Sequence, residues 1–321
     1  MKKKILIVTG DPNSINSEII YKSWKKIDAS LKKRIYFIGS LDLIRKQFSK
    51  LRYKEKILEV KNLDEKINEK YLKIINVGLK FKNPFKVPFK SASKYILQSL
   101  SLAHNLAISN KVQGIINCAI DKKLLIKNKI GVTELLAKKC NINDNSEVML
   151  IRNEKFSVCP LTTHIDIKDV PKKINKSLII NKVKTINTWY KKKLKKKPHI
   201  GILGLNPHNA ELRKKSEELS IIKPAVKRLK KYKINIKGPL VSDTIFVSEF
   251  KKYDVIVGMY HDQVLSPFKS IYKFDAINAT LGLKYLRVSP DHGTGFNIIG
   301  KNKGDSLSLI RSIKFVNKLG K

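Results

Sequence analysis

Short apolar runs alternate with amphipathic segments along most of this chain, as strands separated by helices do. Apolar runs cover Ile5–Thr9, Ile35–Ile38 and Asp254–Val257, and a glycine follows each of them. Between such runs, the segment Ser91–Asn110 places its apolar residues near one face of a helix. The alternation favours an α/β fold with mostly parallel sheets whose faces are covered by helices.

The same pattern predicts further elements in less regular stretches. Additional strands are expected at 114–120, 147–152, 156–161 and 199–203. The two middle ones form a hairpin that turns at Asn153 and Glu154. Additional helices are expected at 15–27, 40–49, 133–140, 174–197, 211–232, 244–250 and 306–319. The charged segment 51–90 contains two prolines and is predicted to form loops.

Composition changes this picture mainly through charge. The 321 residues, 42% of them hydrophobic, suffice for a buried core and suit two domains. The net charge is +41, from 67 Lys plus Arg against 26 Asp plus Glu. Such an excess suggests nucleic acid or an anionic membrane, but the lysines are scattered over the whole chain, as on a solvated surface. We therefore expect no specific nucleic-acid partner, and a positive field that favours phosphorylated substrates.

The cysteines and the N-terminus bear on location. Cys118, Cys140 and Cys159 lack any metal-binding spacing, and we expect reduced thiols. The N-terminal apolar run has only five residues, and no run approaches the ~20 apolar residues of a membrane helix. The sequence thus predicts a cytoplasmic protein without a membrane partner.

Three of the six histidines follow predicted strands. They are His164, His208 and His261, and strand ends at one edge of a sheet converge. Imidazole is a common ligand of divalent transition metals, so these residues form a candidate metal site; three unrelated loop histidines are the alternative. Asp243 and Asp262 can fix a histidine tautomer, although Asp243 can instead cap a helix.

The stretch from Gly258 to Gly304 adds anion-binding residues. Lys269, Asn278 and Arg287 are candidates to hold a phosphate. The segment Asp291–Gly295 is a polar turn rich in backbone donors. Neither a GxGxxG motif after a strand nor a Walker loop is present, so an ordinary Rossmann or P-loop site is unsupported.

A series of motifs spans residues 161–304. They read TTHIDIKDVP, GLNPH, GPLVSDTIF, MYHDQVL with PFK, NATLGL, and DHGTG with a following GK. In order and spacing they resemble the 4-hydroxythreonine-4-phosphate dehydrogenases of vitamin B6 biosynthesis. The resemblance implies a fold like isocitrate and isopropylmalate dehydrogenases, with two α/β domains at 1–130 plus 285–321 and at 131–284. It also implies a homodimer with the active site at the subunit interface.

The resemblance assigns roles to residues. The metal ligands carry over to His164, His208 and His261, contributed by both subunits of a dimer. The phosphate contacts carry over to Thr133, Lys269, Asn278 and Arg287. The catalytic candidates are Asp243, Asp262 and Lys122. The adenosine part of the cofactor is expected at Asp291, His292, Gly293 and Thr294.

The implied reaction is a metal-dependent, NAD(P)-linked oxidation and decarboxylation of 4-phosphohydroxy-L-threonine. A divalent metal (Zn, Co, Mg or Mn) binds the substrate's hydroxyl and amino groups and lowers the pKa of the hydroxyl. NAD or NADP takes the hydride, and the resulting β-keto acid loses CO₂. The general base stays open among Lys122, Asp243 and Asp262.

The first half of the chain departs from the family's motifs. GDPNSINSE stands where the family has a GDPAGIGPE-like turn, and Asn117–Lys122 keeps only the lysine of TGPxxK. Val132 replaces the histidine of GHTE, and valine cannot donate a hydrogen bond to substrate. Three interpretations stay open: a weakened enzyme, a paralogue oxidising another phosphorylated hydroxy acid such as 4-phospho-threonate or 4-phospho-erythronate, and loss of activity. Outside enzymes, a basic nucleic-acid-binding protein and a silent scaffold are the alternatives.

Overall fold

The computed structural model describes residues 3–65, 67–128, 131–142, 144–273 and 275–319. The chain divides into two units: unit 1 comprises Met1–Lys139 with Lys284–Lys321, and unit 2 comprises Cys140–Leu283. The bounds expected from the sequence, 1–130 plus 285–321 and 131–284, stay a prediction. The predicted α/β class, with mostly parallel strands covered by helices, is confirmed.

Unit 1 contains a sheet in which all the described strand pairs are parallel. Its strands are β1 (Lys4–Val8), β2 (Ile35–Gly39), β3 (Lys56–Glu59), β4 (Tyr71–Asn76), β5 (Val112–Asn117) and β12 (Arg287–Pro290). They lie in the order β3-β4-β2-β1-β5-β12. In β1, the residues Ile5 to Val8 are all 0% exposed. Because successive side chains of a strand point to opposite faces, this burial requires cover on both faces.

Helices supply that cover. Those described in unit 1 are α1 (Asn16–Lys26), α2 (Ala29–Lys32), α3 (Leu41–Lys50), α4 (Phe89–Ile108), α5 (Val132–Lys139) and α11 (Leu307–Lys318). Helix α4 packs on β1, β2 and β5, and α11 packs on β1, β5 and β12. The buried face of α4 includes Tyr95, Ile96 and Leu100, which confirms its predicted amphipathic pattern.

Unit 2 contains a mixed sheet. Its strands are β6 (Val148–Arg152), β7 (Ser157–Pro160), β8 (Ile200–Leu203), β9 (Ile236–Leu240), β10 (Val255–Gly258) and β11 (Ile277–Leu281). They lie in the order β11-β6-β7-β10-β8-β9. Strand β6 is antiparallel to β7 and β11, and the other described pairs are parallel. The predicted hairpin of β6 and β7 is confirmed, and the Asn153 side chain accepts the Phe156 N–H at 2.8 Å in its turn.

Helices of unit 2 pack on strands of its mixed sheet. Those described are α6 (Val170–Lys173), α7 (Lys176–Trp189), α8 (Lys223–Lys231), α9 (Ser242–Ile245) and α10 (His261–Tyr272). Helix α10 packs on β7 and β10, while α7 packs on β6 and β11. Phe156, Val264 and Phe268 belong to the core between α10 and the sheet. This packing fixes the start of α10, where His261 lies.

Three secondary-structure predictions are wrong, and one is the helix expected at 244–250, since α9 ends at Ile245. The segment 51–90 was expected to form loops, yet it contains β3 and β4. Lys73 breaks the apolar pattern of β4, and its buried ammonium donates to the carbonyls of Lys32 and Lys33 at 3.0 and 2.8 Å. The helix expected at 211–232 begins only with the π-helical turn Glu218–Ile222 that precedes α8.

Within the described ranges, no helix combines the length and apolar composition that crossing a membrane requires. The three cysteines are free, as expected, and all three are buried.

Candidate functional site

The three predicted metal ligands in unit 2 lie beyond the carboxyl ends of neighbouring parallel strands. Strands β7, β10 and β8 are adjacent, and His164, His261 and His208 follow them in that order. Parallel neighbours end on the same side of a sheet, so the three histidines follow one edge.

The geometry at this edge separates the three imidazoles into a pair and a single residue. The ring centroids of His164 and His261 are 5.8 Å apart. His208 lies instead beside Asp243, with 3.6 Å between Nε2 and Oδ2. Nδ1 of His261 lies 2.6 Å from Oδ1 of Asp262. The described residues of one chain contain no group of three or more His, Cys, Asp or Glu side chains arranged to hold a metal.

The backbone at His208 is left-handed. The φ angles of His208 through Leu212 lie between 49° and 58°, which costs L residues about 1 kcal/mol each. Just upstream, the N–H groups of Leu205 and Asn206 each donate to Glu218 Oε1 at 2.8 Å. Burial raises the pKa of Glu218, but hydrogen bonds from Asn206 and Leu205 outweigh it and hold that pKa below its ordinary value. An ionised Glu218 thus anchors the segment that presents His208.

In unit 1, Arg287 is a buried cation at the start of β12. It is 3% exposed, and burial lowers its pKa to about 10. Its Nη1 donates to the Thr133 hydroxyl at 3.3 Å, and its Nε donates to Asn117 Oδ1 at 2.6 Å. Two predicted phosphate contacts, Arg287 and Thr133, are therefore bonded directly to each other, and Asn117 is a further partner of Arg287 that was not among the predicted site residues.

Lys122 and Glu134 lie in the same unit. Lys122 opens the 3₁₀ segment that follows β5, and burial lowers its pKa, against the attraction of Glu134. Oε2 of Glu134 is buried and has no hydrogen-bond partner among the residues that the structure describes. A lysine with a lowered pKa is more readily present as the neutral amine, which is the form that can accept a proton as a general base.

Lys269 and Asn278, the other two predicted phosphate contacts, belong to unit 2. Lys269 lies in the last turn of α10 and is half-buried. Asn278 lies on β11 opposite Ile151 of β6, and its Oδ1 is buried without a partner within the described part of the chain. A buried amide oxygen without a partner is costly, and a bound ligand or water offsets that cost.

The predicted cofactor segment follows β12. The Asp291 N–H donates to Ser308 Oγ at 2.8 Å, and the Thr294 carbonyl accepts the Ile15 N–H at 3.0 Å. Burial lowers the pKa of His292, whose Nε2 is buried and unpartnered by any described residue. The two hydrogen bonds attach the segment to Ile15, directly before α1, and to Ser308 in α11.

The two N-terminal motifs that depart from the family contact each other. Asp11 accepts the Asn13 N–H at 2.8 Å and the Asp121 N–H at 3.2 Å, and burial raises its pKa. The Asn16 side chain donates to the Ala119 carbonyl at 2.8 Å. Asn16, which stands where the family's turn has a glycine, thus adds a side-chain hydrogen bond to the altered segment 117–122.

A groove of about 470 Å³ lies elsewhere in unit 2, along α7. Its lining includes Lys184, Lys192, Lys193, Trp189 and Gly282. None of the predicted site residues lines it, so the groove is separate from the candidate metal and phosphate residues.

Comparison with known proteins supplies the family context. The profile of the family "pyridoxal phosphate biosynthetic protein PdxA" matches residues 30–316. A 4-hydroxythreonine-4-phosphate dehydrogenase from Aquifex aeolicus is 38% identical, over 99% of each chain.

Solved structures agree with the fold. The crystal structure of 4-hydroxythreonine-4-phosphate dehydrogenase from Klebsiella pneumoniae superposes with a TM-score of 0.84 at 27% identity, covering 100% of this chain and 98% of that one. A β-decarboxylating dehydrogenase from Thermococcus kodakarensis, with a TM-score of 0.51 at 10% identity, covers 98% of this chain and 84% of that one and shares the fold alone.

Proposed function

Because the chain belongs to the PdxA family of pyridoxal phosphate biosynthetic proteins, we propose that it oxidises and decarboxylates 4-phosphohydroxy-L-threonine. The carrying observation is that three motif histidines follow three adjacent parallel strands at one sheet edge. That edge is where α/β enzymes bind ligands. The overall class is an oxidoreductase of pyridoxal phosphate biosynthesis.

The donor chemistry of the histidines fits a divalent metal. His164 and His261 lie together, and Asp262 contacts Nδ1 of His261. A carboxylate on one ring nitrogen orients the other nitrogen toward a metal. We assign His164, His208 and His261 as the ligands of Zn, Co, Mg or Mn. When bound, such an ion lowers the pKa of the substrate hydroxyl and stabilises negative charge on the product of oxidation.

The segment Asp291–Thr294 fits a nucleotide. It lies beyond the carboxyl end of β12. Nε2 of His292 has no hydrogen-bond partner among the described residues, so a bound ligand can supply one. We assign Asp291, His292, Gly293 and Thr294 to the adenosine part of NAD or NADP. The cofactor accepts the hydride when bound.

The substrate phosphate is assigned to Thr133, Lys269, Asn278 and Arg287. Arg287 supports this role because its buried guanidinium, bonded to the Thr133 hydroxyl, is a charge-assisted donor. Proton transfer falls to Lys122, Asp243 or Asp262. Lys122 is favoured as the base because its burial lowers its pKa.

A second substrate class is favoured by one observation. Val132, where the family has histidine, is half-buried and packs against the apolar core of unit 1. A pocket without that donor suits a phosphorylated hydroxy acid such as 4-phospho-threonate or 4-phospho-erythronate.

The test is a substrate screen of the purified protein that reads NAD(P)H absorbance with and without added divalent metal. We expect metal-dependent turnover of 4-phosphohydroxy-L-threonine. Turnover of the sugar-acid phosphates alone would establish the second substrate class. No turnover of any of them with any metal, in a folded protein, would sink both proposals.

We further propose a cytoplasmic homodimer. The free cysteines suit a reducing compartment, and the separation of His208 from the other two histidines suits a site completed by a second copy.

A further inference from the structure

The sheet of unit 1 brings Asn117 against Arg287 through its register. Strand β12 pairs with β5 so that Arg287 lies opposite Ile115. Asn117 is two residues further along β5 and therefore faces the same side of the sheet as Ile115. A side chain two positions along from a cross-strand partner lies within reach of a long residue such as arginine. The contact thus follows from the strand pairing.

The bond between them is buried and oriented. Asn117 and Arg287 are each 3% exposed, and Nε of Arg287 donates to Oδ1 of Asn117 at 2.6 Å. The amide nitrogen of Asn117 donates to the Cys118 carbonyl at 3.2 Å, which fixes the amide with its oxygen toward the arginine. With Nε engaged, the Nη1 edge of the guanidinium meets the Thr133 hydroxyl.

From this geometry we propose that Asn117 is a positioning residue, which orients the guanidinium of Arg287 so that it binds the phosphate of the substrate together with Thr133. The inference rests on the proposed function, in which Arg287 contacts that phosphate. A planar guanidinium binds an anion well only when its donors are aimed, and one neutral acceptor at Nε aims it without cancelling its charge. An asparagine does this where the family's motif has threonine.

The test is a double-mutant cycle with Asn117→Leu and Arg287→Lys. The first readout is the Kd for inorganic phosphate, measured by calorimetry at about 0.15 M salt to screen the protein's net positive charge. The second readout is KM and kcat with the substrate that the screen identifies. Asn117→Thr is the milder variant, because the threonine side chain is shorter than that of asparagine but still carries a polar hydroxyl. Asn187→Leu, which removes a buried asparagine from α7 in unit 2, is the matched control.

We expect Asn117→Leu to weaken phosphate binding and raise KM about tenfold, with kcat changed less than about threefold. Asn117→Thr changes both in the same direction, and Asn187→Leu changes neither. In the Arg287→Lys background, Asn117→Leu has little further effect, because the two residues act as one unit.

Two results would overturn the inference, and only the second would also overturn the phosphate assignment of Arg287. If Arg287→Lys weakens phosphate binding but the Asn117 variants do not, or if their effects add independently, only the role of Asn117 is wrong. If Arg287→Lys leaves phosphate binding and KM unchanged, the phosphate assignment of Arg287 fails and the role of Asn117 fails with it.

Discussion

At the scale of single residues, His208 tests the metal assignment most directly. His208→Ala removes an imidazole at the sheet edge and should abolish metal binding and lower turnover at least about a hundredfold. His199→Ala is the control, since His199 precedes β8 and its Nδ1 contacts the Lys252 carbonyl. Metal content and NAD(P)H production measure the two effects. A His208→Ala protein with full activity would show that the assignment is wrong.

Val132 tests the substrate. Val132→His restores the side chain of the family's motif beside Thr133 and should lower KM for 4-phosphohydroxy-L-threonine about tenfold, because it adds a hydrogen-bond donor. Val132→Leu, which stays apolar, should leave KM unchanged. If KM does not respond to histidine either, the pocket differs from that of the family.

His292 predicts a pH dependence of stability. Burial lowers its pKa below the ordinary value of 6.5, so the folded state holds the neutral ring while the unfolded state takes up a proton. Its contribution is therefore lost as the pH falls below about 6.5 toward the folded pKa. Urea unfolding between about pH 7 and 5 should show a smaller loss of stability for His292→Asn than for the unaltered protein. Equal slopes for the two proteins would contradict the prediction.

At the scale of elements, Gly295 follows the proposed cofactor segment and takes a left-handed conformation just before the 3₁₀ turn Phe296–Ile298. Gly295 has φ +66°, and a Cβ there would lie 2.8 Å from the Ile15 side chain. Gly295→Ala should therefore destabilise unit 1 by about 1 to 2 kcal/mol. Gly293→Ala is a matched control two residues away, because an added Cβ there has no atom within 4 Å among the described residues. Thermal unfolding compares them, and equal melting temperatures would refute the strain argument.

The sequence predicted elements well where burial was uniform. Strands β1, β2 and β10 are continuous apolar runs, and their prediction depended only on side-chain chemistry. Strand β4 was not predicted, because the buried Lys73 interrupts its apolar pattern and donates to backbone carbonyls that are distant in sequence. Strand β12 was not predicted, because it begins with the buried cation of Arg287. The hydrogen-bond partner of that cation, Asn117, is 170 positions away in the sequence.

The candidate site was predictable to a similar degree. The predicted strand ends singled out His164, His208 and His261, and the motif resemblance singled out Arg287; their roles stay predictions. The residues that hold them were missed. Glu218 accepts the N–H of Asn206, just before His208, although the two residues are twelve positions apart. No local sequence pattern indicates such a hydrogen bond.

At the scale of the whole molecule, we expect the net charge of +41 to act on phosphorylated substrates more than on nucleic acid. Over the described residues, cations already interact with backbone carbonyls, carboxylates and aromatic rings in many separate places. A dispersed field of this kind raises encounter rates with phosphorylated substrates, and salt screens it. The kcat/KM of the enzyme should therefore fall as ionic strength rises.

The proposed homodimer is tested by mixing inactive subunits. If His208 and the pair of His164 and His261 come from different copies, a His208→Ala subunit paired with a His261→Ala subunit contains one intact site. Co-expression with random pairing should then recover about a quarter of full activity, since half of the dimers are mixed and each has one of two sites. Pairing His164→Ala with His261→Ala is the control. Both changes fall on the same side of the shared site, so every site stays defective and no activity returns. Recovery in neither mixture would mean that each site draws all three histidines from one chain.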